Sequence, residues 1–76
     1  MTTSEFQNKY DQSEDEMNNH DVLLRIQSNL SDLHIEKDFF TPEQMDAKLN
    51  SIKTFISDWK SVIRNQDNNI KNHYKH

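Results

Sequence analysis

Glycine and cysteine are absent, proline occurs once, and no run of apolar side chains is longer than the three of Val22-Leu23-Leu24. Without glycine, tight hairpin turns and phosphate-cradling loops lose their usual residue, which argues against β structure and against nucleotide binding. Without cysteine there are no disulfide frameworks, no thiolate zinc sites and no thiol nucleophiles, and nothing points to a secreted scaffold, so a cytoplasmic setting is expected. The short apolar runs supply neither a transmembrane span nor the core of a signal peptide, so no membrane partner is expected. Seventy-six residues allow one domain with a modest core and little room for an enzyme's cleft. The class that remains is all-α.

What is present is charge, at 29% of residues against 32% hydrophobic, and it is unevenly placed. Residues 1–46 carry 11 acids and 3 bases, whereas residues 47–76 carry 6 bases and 2 acids, so a net charge of −4 conceals two halves of opposite sign. Such halves attract one another and favour a chain folded back on itself.

The clearest local signal is DFFTPEQM, residues 38–45. Thr41 is a good N-cap, Pro42 suits the first helical position because its missing N–H would have no partner there, and Gln44 can reach back to close a capping box. Phe40 and Met45 then occupy the two positions of a hydrophobic staple. From this start Met45, Leu49, Ile52, Ile56, Trp59 and Ile63 recur at spacings of 4, 3, 4, 3 and 4, a heptad seam that predicts a helix over residues 42 to about 68. Ser13 and Glu16 spell a second capping box with acids in the first turn, and Leu23, Ile26, Leu30 and Leu33 form a stripe, which predicts a helix over about 14–36. A link of about five residues makes the two antiparallel neighbours. The expected architecture is an antiparallel helical hairpin over residues 13–68, its two stripes facing each other and Phe39 and Phe40 closing the turn, assembling as a dimeric helical bundle. Residues 1–12, where Ser4 and Gln7 could cap a short helix, are expected to be flexible or weakly helical, and 69–76 to be a frayed tail.

None of the residues that could carry chemistry assembles into a site. His73 and His76 are spaced for a metal on a helix but lack a third ligand, and the acidic run from Asp11 fails as a calcium loop because Glu16 and Val22 stand where Gly and Glu are required. No carboxylate or nucleophile has a desolvated base beside it. No enzyme activity, metal or cofactor is therefore expected. Lys53, Lys60, Arg64, Lys71 and Lys75 align along one side of the second helix, where they could track phosphates, but the acidic net charge makes them a solvated flank first and a nucleic-acid site only as the alternative.

Two facing stripes leave Phe55 and Val62 beside the seam of the second helix, and Leu24 and Ile35 off the stripe of the first, without cover. The expected function is a protein–protein interaction module, a small adaptor, inhibitor, antitoxin or chaperone-like regulator. Its expected partner site is Phe55, Trp59 and Val62 with Lys53, Lys60 and Arg64 at the rim, and Leu24 and Ile35 as the second surface. The partner is a protein that the sequence does not identify, with a second copy of the chain among the expected occupants and a structural subunit role as a further alternative. A competing reading has Phe6 and Tyr10, one helical turn apart, fold back over the same residues.

Overall fold

The computed structural model describes the backbone of residues 1–74 and the side chains of residues 1–66. Helix α1 spans Thr3–Tyr10, α2 spans Asn19–Ile35 and α3 spans Pro42–Tyr74, with single 3-10 turns at Glu14–Glu16 and Lys37–Phe39 and no strand among the described residues. At 33 residues, α3 is about 50 Å long at 1.5 Å per residue and accounts for most of the 55 Å long axis of the molecule.

The start of α3 has the geometry its sequence spells. Thr41 N donates to Gln44 Oε1 at 3.0 Å and Gln44 N donates to Thr41 Oγ1 at 3.2 Å, closing the box around Pro42. The helix then runs to Tyr74, past the end near residue 68 that the fading apolar stripe predicts, because no glycine or proline lies between 43 and 74 to stop it. Phe39 does not close the turn as expected; it is 83% exposed, and only Phe40 turns partly inward, with the Lys48 ammonium 5.0 Å from its ring centroid.

The N-terminal half differs more. Residues 3–10 form a short N-terminal helix, the helical alternative for this segment, and it is docked; Thr2 and Glu5 cap it through reciprocal bonds of 3.2 and 2.9 Å instead of Ser4 and Gln7. Glu5 supplies a negative charge to the first turn that Gln7 could not, which favours this box. The helix ends at Asp11 in the left-handed region, φ 51°, with Gln12 N donating to the Gln7 carbonyl at 3.1 Å. In a chain without glycine, Asp is one of the few residues that tolerates this turn.

Ser13 and Glu16 do bond through their side chains, at 2.9 Å, but they hold only a 3-10 turn. The second long helix begins five residues later than predicted, at Asn19, where Asn18 Oδ1 accepts from Asp21 N at 2.9 Å. The intervening turn is fixed by Gln12, which is buried and fully bonded: its Nε2 donates to the Glu16 carbonyl at 2.8 Å and its Oε1 accepts from Arg25 Nη1 at 2.7 Å. Arg25 Nη1 also donates to the Tyr10 carbonyl at 2.8 Å, tying the end of α1 to α2.

The core lies where α1 crosses the α2–α3 pair. Phe6, Val22, Phe55, Trp59 and Val62 are buried together, with Met1, Tyr10, Met17, Ile26 and Ile63 packed around them. The Phe6 ring centroid lies 5.2 Å from Phe55 and 5.3 Å from Trp59, and Tyr10 meets Phe55 edge-on at 4.7 Å. Trp59 Nε1 donates to Asn19 Oδ1 at 3.0 Å, so the indole is satisfied at the start of α2. Of the stripe residues expected to form the core, Leu33 and Trp59 are buried and Ile26, Ile52 and Ile63 half-buried, whereas Leu23, Leu30, Leu49 and Ile56 are exposed; Phe55 and Val62, expected with Trp59 to receive a partner, are inside. The cause is α1, whose Phe6 enters between the two longer helices and draws the flanking residues inward.

Two stability measurements follow. Phe6→Ala should cost about 3–5 kcal/mol by urea unfolding, while Leu30→Ala should cost less than about 1 kcal/mol; a Phe6→Ala midpoint equal to wild type would show that α1 does not dock. Thr41→Ala should lower stability by about 0.5–2 kcal/mol through loss of the cap, and an unchanged midpoint would mean that this box contributes nothing in solution.

Candidate protein-binding face

Helix α1 covers one flank of α3 and is fastened there by polar groups. The N-terminal ammonium donates to Ser61 Oγ at 2.6 Å, Asn65 Nδ2 donates to the Met1 carbonyl at 3.0 Å, and Lys9 Nζ pairs with Asp58 Oδ2 at 2.8 Å. The Tyr10 hydroxyl donates to the same Asp58 oxygen. The hydrogen bonds from Lys9 and Tyr10 hold the Asp58 carboxyl below the usual range, the bond to Asp58 raises Lys9, and burial raises the Tyr10 phenol.

At about 100° per residue, Leu49, Ile56 and Ile63 fall on the side of α3 opposite Asp58, Ser61 and Asn65. On α2, Leu23 and Leu30 fall more than about 120° from Arg25, the residue that reaches α1. Both sets therefore sit on the side of the α2–α3 pair that α1 leaves open. Leu23 is 58% exposed, Leu30 46%, Leu49 48% and Ile56 37%, with Ile26, Ile52 and Ile63 half-buried beside them. An apolar face drawn from two helices is the result, and its members are the stripe residues expected to face one another.

The remaining predicted site residues separate. Lys53, Lys60 and Arg64 are exposed along the α3 edge of the open face. Leu24 and Ile35 are also exposed but lie about a quarter turn or more from Leu23 and Leu30, on the outer side of α2, so they are not part of the same surface. Lys75 and His76 fall outside the described residues, as do the side chains of Lys71 and His73. Among the described residues no group of three His, Cys, Asp or Glu is placed to hold a metal ion, and no helix is long and apolar enough to cross a membrane.

On the covered side, a groove of about 460 Å³ opens where α1 stops, floored by Leu33, Ile52 and Phe55 and walled by Asp32, Glu36 and Lys48. Arg25 closes its end, the guanidinium 5.1 Å from the Phe55 ring centroid. Its walls carry both signs of charge, and nothing in it combines a nucleophile with a base. No protein family, curated protein or solved structure matches the chain.

The Asp58 cluster makes a pH test of α1 docking. Because the folded-state pKa of Asp58 is depressed, its contribution is present above about pH 4 and is lost as the carboxyl is protonated at lower pH. Thermal melts between neutral and strongly acidic pH should show wild type losing more stability than Asp58→Asn. Parallel profiles would mean that Lys9 and Tyr10 do not engage Asp58 in solution.

Proposed function

We propose that the protein is a non-enzymatic protein–protein interaction module, an adaptor, inhibitor, antitoxin or chaperone-like regulator, in which α2 and α3 act as an antiparallel helical hairpin presenting the open apolar face. The observation that carries this reading is the position of Leu23, Leu30, Leu49 and Ile56, four large aliphatic side chains from two helices exposed on one side. At about 25 cal/mol per Å² removed from water, covering them contributes several kcal/mol, a large fraction of the stability of a domain this small. Contiguous apolar surface on a small protein marks an interaction site more often than it marks nothing. Helix α1 serves this function indirectly, by taking up the aromatic residues that would otherwise compete for a partner.

A dimeric helical bundle formed through the same face is the second reading. It is favoured by the heptad spacing of Leu49, Ile56 and Ile63, the repeat by which one long helix packs along another. A structural subunit of a larger helical assembly would use the surface in the same way.

The test is Leu49→Ser with Ile56→Ser. Helicity by circular dichroism should be retained with a stability change under about 1 kcal/mol, while proteins captured with wild type from the source organism, or dimer seen by sedimentation, should be lost. A collapse of helicity would return these side chains to the core, and unchanged capture would move the partner to another surface.

A further inference from the structure

We infer that the occupant of the open face is an acidic amphipathic helix of another protein. This rests on the interaction reading above and adds the partner's chemistry, from the distribution of charge around the apolar strip. Lys53, Lys60 and Arg64 recur at spacings of 7 and 4 along the α3 edge, all exposed. None makes an ion pair with another described residue; the one ion pair among the described residues is Lys9 with Asp58, on the covered side. Among the described residues, the cations of this edge are therefore uncompensated.

The opposite edge does not compensate them either. The acids of α2 point the other way: Asp32 and Glu36 wall the groove shared with Tyr10, and Asp21 is taken up by the Asn18 cap. The residues of α2 that border the strip are Gln27 and the two histidines His20 and His34, none of them a carboxylate. Among the described side chains, Asp46 is the acid on the α3 edge, at the start of the helix, where the dipole favours it and Asn50 bonds it at 3.3 Å. A chain of net charge −4 thus presents an apolar strip with a cationic border.

The border selects among occupants. A second copy docking face to face would bring the same cations along the same strip, and like charges at a rim disfavour that contact. A nucleic acid would satisfy the cations but offers no apolar surface for Leu49 and Ile56. A helix with aliphatic residues at heptad spacing and carboxylates on its flanks satisfies both, in the helix-in-groove manner.

The probe is a helix-stabilised synthetic peptide with leucines at heptad spacing and glutamates on both flanks, compared with the same peptide carrying lysines. Each is titrated against the full chain at low and high salt, with sedimentation of the chain alone and a duplex DNA titration beside it. The glutamate peptide should bind wild type, weaken as salt rises, and bind about tenfold less tightly to Lys53→Glu/Lys60→Glu/Arg64→Glu. That triple variant should retain its helicity and gain affinity for the lysine peptide. Equal binding of both peptides, lost only in Leu49→Ser/Ile56→Ser, would overturn the acidic partner while leaving the docking face intact. A dimer of the chain alone that Leu49→Ser/Ile56→Ser dissolves, or duplex binding lost in the charge-reversed variant, would overturn it in favour of a second copy or a nucleic acid. Binding of neither peptide by a monomeric chain would overturn both the partner and the face.

Discussion

The structure depends on Phe6. Its ring sits within about 5 Å of two aromatic rings of α3 and is fully buried, and it reaches there only because the chain reverses between Tyr10 and Asn19. That reversal is held by a buried amide, Gln12, with every polar atom bonded, and by Arg25, which serves Gln12 and the end of α1 at once. A buried polar group without partners would cost more than the bonds return, so this turn is stable only when α2 is in place to supply Arg25. Turn and core are therefore coupled, and α1 docks as a unit or not at all.

Much of the organisation was legible in the sequence because it is set by local chemistry. The all-helical class followed from the missing glycine, and the start of α3 followed from Thr41, Pro42 and Gln44, whose bonds involve residues three apart. Choice among competing local signals was harder. Thr2–Glu5 and Ser4–Gln7 are both capping boxes on paper, and the Ser13–Glu16 box competes with the Asn18 cap actually used. In each case a contact far along the chain, Met1 with Ser61 or Trp59 with Asn19, favours one of the two.

The orientation of the helices was not legible. A stripe at spacings of 3 and 4 states that one side of a helix is buried against something, but it does not state what. Leu49, Ile52 and Ile56 carry the most regular stripe in the chain, and Phe55 and Val62 lie on its flank; by spacing alone the regular stripe is the core. The aromatic pair Phe6 and Tyr10 was the signal for the other arrangement, since two aromatic rings one turn apart need a surface, and Phe55, Trp59 and Val62 are that surface.

Helix packing within a chain and between chains obeys the same ridge-and-groove geometry, so apolar spacing alone cannot distinguish a core from a docking face. Polar residues make the distinction. Asp58, Ser61 and Asn65 would pass for solvent-facing residues of α3, yet Asp58 bonds α1 and the other two bond Met1 just before it, and together they mark the flank that the chain itself covers. Lys53, Lys60 and Arg64 on the opposite edge have no such bonds among the described residues. The flank whose polar residues are used internally is closed, and the flank whose charges have no ion-pair partner among the described residues, beside exposed leucine and isoleucine, is the one proposed to bind.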